Sequence, residues 1–214
     1  FIKPGMTEKQ VRNELEIFMF ANGADSLAFG SIVASGPNTA NPHAVPSDRV
    51  IEKGDFVLMD YGAGYCDYRS DMTRTVVMGE PTQEQLDLYA LVRRTHEECV
   101  AAIHPGVEGN DIFKLSKKII GDAGYGDYYN HGLGHGVGID IHELPNFNRS
   151  KNIIEVGSVI TMEPGVYLPG VGGVRLEDYG VVTENGYEPF TKTPHDLHAV
   201  SYTHLRAHET LMNL

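Results

Sequence analysis

The sequence has 214 residues, 41% of them apolar, enough for one large domain or two small ones with a core of normal size. Its formal net charge of −12 argues against nucleic acid and anionic membrane surfaces as partners, because both select clustered Lys and Arg. No apolar run approaches the ~18 residues of a spanning helix, and the two cysteines, Cys66 and Cys99, make neither a disulfide framework nor a zinc ribbon, so a reducing cytoplasm is the expected setting.

The first element is a helix over residues 7–22, where Thr7 and Gln10 form a capping box, Val11, Leu15, Phe18 and Met19 recur at helical spacing, and Gly23 ends the run. Residues 56–62 and 73–79 are rich in strand formers and flank a hairpin in AGYCDYRSD. A second helix is expected over 82–103, capped by Thr82 with Gln85 and stopped by Pro105 and Gly106, and a third over 110–120. Two further strands follow, over 158–167 and 173–183. Helix, strands, helices, strands is the order of an α+β fold with mainly antiparallel pairing, not of an alternating α/β sheet.

The chemistry begins with acids in apolar strands: Asp60 in VLMDYG, Asp71 at the end of the hairpin, Glu163 in ITMEPG and Glu177 in RLEDYGVV. Acids are depleted in strands and are almost never fully buried without a partner. One such residue would be an edge or ion-paired side chain; four of them ask for another explanation. Brought to one point they would repel, and some would take up protons. Two divalent cations would balance four carboxylates, and a neutral imidazole would add a ligand without charge. Oxygen and nitrogen donors without sulfur favour manganese, cobalt, iron or zinc.

A source for that imidazole is NHGLGHGVGIDIHELP, residues 130–145, which holds His131, His135 and His142. His131 and His135 have helical spacing, but Gly132, Gly134, Gly136 and Gly138 would each cost a helix about 1 kcal/mol relative to Ala. A bent strand or loop whose backbone approaches a ligand closely is therefore expected, and the residue types alone leave open which histidine binds. His204 and His208 are also four apart, but they lie in a tail, residues 198–214, that breaks with what precedes it and resembles a translated sequencing adapter; it is expected to be non-native.

MDYGAGYCDYRSDMTRT, HGLGHGVGIDIHE, TMEPGVY and VRLEDYGVV, with NPHAVPSDR upstream, together resemble the metallopeptidases of the pita-bread fold, the methionine aminopeptidase and Xaa-Pro peptidase superfamily. Within it the chain is most similar to the Xaa-Pro branch, the proline dipeptidases and aminopeptidase P, over about residues 3–197. The resemblance implies a pita-bread α+β fold, a curved and mainly antiparallel sheet with helices on its outer face, forming one catalytic domain over residues 1–197. Enzymes of this branch carry an amino-terminal domain that is expected to be missing from this chain.

For the site, the resemblance implies five metal ligands: Asp60 chelating one ion, Asp71 and Glu177 bridging both, and His135 and Glu163 completing the second. The implied cofactor is two divalent ions, manganese first, with cobalt, zinc or iron as alternatives. His43 and His142 match histidines that stabilise the tetrahedral intermediate, and Glu163 matches the carboxylate that moves a proton from the attacking water to the leaving nitrogen. His131, Tyr167 and Arg175 match substrate-side positions. Arg175, two residues before Glu177, shares its strand face and would orient ligands. The implied reaction is hydrolysis, by a metal-bridging hydroxide, of the bond between an amino-terminal residue and a following proline in small peptides. A homodimer is expected for the full-length protein. Methionine aminopeptidase is the alternative activity; the alternative of another class is a non-catalytic pita-bread binding module, though such modules usually lose metal ligands and all five are present here.

Overall fold

The structure is a computed structural model that describes residues 1–3, 5–148 and 151–200. Helix α1 (Glu8–Ala21) starts at the expected capping box: the Thr7 hydroxyl accepts from the Gln10 N–H, and the Gln10 side chain accepts from the Thr7 N–H. Strands β1 (Ser26–Leu27) and β2 (Ile32–Ser35) lead to a short 3-10 turn, Gly36–Ala40, and then to the loop that carries His43. β3 (Phe56–Tyr61) is central. β4 (Ala63–Tyr65) and β5 (Tyr68–Arg69) form the expected hairpin, turned by Cys66 and Asp67 at φ of 48° and 67°. β6 (Met72–Met78) returns antiparallel to β3, pairing Asp60 with Thr73.

Two helices follow, α2 (Gln83–Ala101), with its own capping box between Thr82 and Gln85, and α3 (Gly109–Asp122), which extends slightly past the expected ends. The rest is strand: β7 (Gly134–Gly136), β8 (Glu143–Phe147), β9 (Val159–Met162), β10 (Gly165–Leu168), β11 (Gly172–Arg175), β12 (Asp178–Thr183), β13 (Gly186–Pro189) and β14 (Ala199–Val200). The two larger sheets have the orders β14-β6-β3-β2 and β13-β12-β9-β7-β8; β1, β4 and β5 form a smaller one, and β10 and β11 pair with each other. A bridge between Thr73 and Glu177 joins the two larger sheets. Pairing is antiparallel except between β14 and β6.

Strand alternation then sorts the side chains. In β3, Val57 and Met59 pack with Val11 and Leu15 of α1, which turns Asp60 to the opposite face. In β9, Ile160 and Met162 pack with Cys99, Ile103 and Ile112 under α2 and α3, which turns Thr161 and Glu163 away from the helices. The helices thus cover apolar outer faces, and the acids face one another between the sheets.

Two expected strands are each divided. Residues 158–167 break after Met162 and residues 173–183 after Arg175. Pro164 has no N–H to give a ladder. The Glu163 N–H donates instead to the Leu133 carbonyl at 2.8 Å, and the Glu177 N–H to the Thr73 carbonyl at 3.1 Å. Both breaks fall at expected ligands, because there the backbone changes partner. At the other end, the Val77 N–H donates to the His198 carbonyl at 3.0 Å and β14 extends the sheet, so hydrogen bonding continues past position 198. His204 and His208 lie outside the described residues. Among the described residues, no helix is long and apolar enough to cross a membrane.

Candidate metal centre

Five side chains meet between the sheets. Asp60 and Asp71 come from the β3 to β6 hairpin, His135 from the middle of β7, and Glu163 and Glu177 from the two strand breaks. β7 can bring His135 this close only because its neighbours are glycines: a Cβ at Gly134 would lie 2.2 Å from the Thr161 carbonyl oxygen, and one at Gly136 2.4 Å from that of Leu144. The expectation of a bent strand in close backbone contact is met, with a register irregularity between His135 and Gly136.

The His135 ring is oriented by its own strand. Nδ1 lies 3.0 Å from the Gly136 carbonyl oxygen, so Nδ1 carries the proton and donates to it. That leaves Nε2 with a bare lone pair, 3.4 Å from Glu163 Oε1 and 3.6 Å from Asp71 Oδ2. Ligand atoms of Asp71, His135 and Glu177 lie within 4.8 Å of one another. Asp60 is held through Oδ2, which accepts from Arg175 Nη2 at 2.6 Å, while its buried Oδ1 has no hydrogen-bond partner. Thr73 Oγ1 donates to Glu177 Oε2 at 2.6 Å.

These acids are poorly compensated by protein alone. Burial, then the charges of Asp60 and Glu163, push the Asp71 carboxyl up to about 9. Burial pushes Glu163 up to about 7 against the pull of Arg175, and drives Glu177 well above the carboxylate range. Asp60 is also raised by burial, despite its Arg175 partner. Burial holds His135 down to about 4, so the ring is neutral near pH 7. Clustered acids that resist ionisation, an orphaned carboxylate oxygen and a neutral imidazole with its lone pair turned inward fit a pair of divalent cations.

A second chain of contacts stands behind Asp60. Arg175 Nη1 donates to the Tyr167 hydroxyl at 2.9 Å, and that hydroxyl donates to His131 Nε2 at 2.8 Å. His131 Nδ1–H donates to the Gly132 carbonyl at 2.7 Å, and burial, with Arg175 nearby, holds this ring down to about 3. The cavity beside the four acids and the imidazole has a volume of about 470 Å³ and is lined by His43, His131, His142 and Arg175, with Phe29, Ile32 and Ile141 as apolar wall. His43 and His142 are exposed at its open side, and the His142 ring packs edge-on to His135 at 4.4 Å. Tyr167, expected against substrate, is 3% exposed and outside the lining; it reaches the cavity only through Arg175 and His131.

Sequence reasoning missed two threonines. Thr73 binds Glu177 and also accepts from Arg175 Nε at 3.0 Å, and Thr161 Oγ1 accepts the His135 N–H at 3.0 Å. Each stands two residues from an acid of the site, Asp71 or Glu163, so the strand period could have found them.

Residues 1–184 match the model of metallopeptidase family M24. The chain belongs to that family. As an M24 member it is 47% identical over 198 residues to the uncharacterized peptidase YqhT of Bacillus subtilis, covering 92% of this chain and 56% of the relative. It is 44% identical over 197 residues to the Xaa-Pro dipeptidase of Pyrococcus furiosus, covering 92% of this chain and 57% of the relative. The solved X-Pro aminopeptidase of Thermotoga maritima superposes with a TM-score of 0.91 at 38% identity, over 93% of this chain and 57% of that one. The fold is therefore the pita-bread fold that the motifs imply, and this M24 chain spans a little over half the length of the relatives it matches.

Proposed function

We propose that this chain carries the catalytic site of an Xaa-Pro peptidase, which hydrolyses the bond between an amino-terminal residue and a following proline in small peptides. The observation that carries the reading is the meeting of Asp60, Asp71, His135, Glu163 and Glu177 at one wall of a cavity whose open side holds His43 and His142. Those five residues would hold two divalent ions, manganese foremost given one nitrogen among many oxygens. When bound, the ions would supply a Lewis acid and lower the pKa of a water.

The protein's own groups do the rest. Glu163 can take a proton at Oε1 and release it to the leaving nitrogen. His142 and His43 can present ring N–H groups to the developing oxyanion. Arg175 fixes the Asp60 carboxylate and, through Tyr167, the His131 ring. Proline after the scissile bond makes a tertiary amide with no N–H, so an apolar wall of Phe29, Ile32 and Ile141 leaves no donor unsatisfied. Two free cysteines suit a cytoplasmic setting. The homodimer implied for the full-length protein would be read by its elution volume.

The similarity to an Xaa-Pro dipeptidase and an X-Pro aminopeptidase supports this specificity over methionine aminopeptidase. The test is a comparison of Xaa-Pro, Xaa-Pro-Yaa and Met-Ala peptides with added manganese or cobalt. Preferential cleavage of the proline peptides is expected; faster cleavage of Met-Ala would overturn the assignment.

A further inference from the structure

A second group of ligating side chains lies on the far side of β12. Glu177 and Asp178 are neighbours in sequence, but alternation sends them to opposite faces: Glu177 into the cavity, Asp178 toward α2. There Asp178 Oδ2 lies 2.6 Å from His195 Nε2, on the segment between β13 and β14, and 3.3 Å from His96 Nε2 of α2. The two imidazole rings stand 5.0 Å apart at 75°. Three segments distant in sequence therefore converge on one carboxylate oxygen.

The other oxygen is already engaged. Arg74 Nη2 donates to Oδ1 at 2.6 Å and Thr191 Oγ1 at 2.5 Å. These bonds fix the carboxylate plane and turn Oδ2 toward the two rings, as outer hydrogen bonds do around metal-bound carboxylates. His96 is 2% exposed, and neither of its ring nitrogens has a hydrogen-bond partner. Buried polar nitrogens are rarely left so, because an unmatched polar group loses its hydration without return. The 3.3 Å approach of His96 Nε2 to Asp178 Oδ2 makes no hydrogen bond, and an ion held between them would give that nitrogen a partner.

We propose that His96 Nε2, Asp178 Oδ2 and His195 Nε2 form a zinc-type cation site separate from the dinuclear centre, with water as fourth ligand. Ligand bonds of about 2.0–2.1 Å at tetrahedral angles separate ligand atoms by roughly 3.3 Å. The Asp178 to His96 distance meets this; His195, 29% exposed in its side chain, would draw back by roughly 0.7 Å. Two imidazoles and one carboxylate select zinc over manganese, magnesium or calcium, the reverse of the acid-rich centre on the other face. The Arg74 charge opposes the ion, so the site binds more weakly than a cysteine-rich one. A bound ion would pin α2 and the segment before β14 to the strand that follows Glu177.

The test does not depend on peptidase specificity. The metal-free full chain is loaded with zinc, freed of unbound metal, and its zinc counted by mass spectrometry beside His195→Leu, a change at the exposed edge. One fewer equivalent per chain is expected in the variant, with manganese-supported peptide hydrolysis unchanged. Zinc-edge anomalous diffraction from zinc-soaked wild-type crystals should place a peak against all three ligand atoms. Equal zinc counts in the two proteins, or no anomalous peak at the cluster, would overturn the proposal, and the diffraction result decides it even if the variant does not fold.

Discussion

His135 and His142 pack against each other, yet they face different tasks. His135 has its Nδ1–H bound to Gly136 and its Nε2 turned to the acids; His142 is exposed on the cavity side. His135→Ala should therefore lose metal from one position, read as bound equivalents by elemental analysis. His142→Ala should keep both metals and lower kcat about 10²–10³-fold, the scale of removing one oxyanion donor. Loss of metal in His142→Ala as well would show the division to be wrong. Tyr167 works at one remove. Tyr167→Phe takes away the hydroxyl that links Arg175 to His131, at a cost of about 0.5–1.5 kcal/mol in denaturant unfolding. Since Tyr167 lies outside the cavity lining, metal content should stay unchanged while KM rises through the freed His131 ring.

At the level of strands and helices, local signals were readable and changes of partner were not. Both capping boxes formed where Thr7 and Thr82 predicted them, because N-cap bonds close within three residues. Pro164 marks the break at Glu163 in the sequence, but the new partners of Glu163 and Glu177, the Leu133 and Thr73 carbonyls, were invisible, because only the folded sheets bring them near. Two glycine substitutions separate these regimes. Gly121→Ala in α3 meets nothing within 4 Å and should stabilise by about 0.5–1 kcal/mol. Gly134→Ala drives a methyl to 2.2 Å from the Thr161 carbonyl, so β7 and β9 must part. A loss of about 1–3 kcal/mol is expected, with weaker metal binding because His135 moves with the strand. Thermal unfolding and metal analysis of the two variants check both signs.

Across the whole molecule, the acid-rich centre makes stability depend on metal and pH together. In the metal-free protein the Asp71 carboxyl sits at about 9 against an ordinary 3.8, and Glu163 at about 7 against 4.5. Between pH 7 and 9 the folded state therefore holds protons that the unfolded chain has released, and each rise in pH favours unfolding. Below this window the buried neutral His131 and His135 act oppositely, losing stability as pH falls through 6.5 toward their folded values. Chelator-treated protein should thus show a Tm that falls from pH 7 to 9, and manganese should raise the Tm most at the alkaline end by offsetting the carboxylate charge. A metal-free Tm that is level or rising over that range would contradict this account.

What the sequence determined by itself was set by short-range physics. Caps, helical spacing, strand alternation and the cost of glycine in a helix put the elements close to their places and made a helical His131–His135 pair untenable. Charge balance asked for cations and one neutral nitrogen, but residue types left three histidines open and only the resemblance chose among them. The tertiary structure decided the rest. It turned the His135 lone pair inward, set Tyr167 behind the wall, and sent Glu177 into the cavity and Asp178, at the start of β12, toward α2. Those outcomes rest on contacts such as Thr73 to Glu177, 104 residues apart, and no local pattern encodes a hydrogen bond of that span.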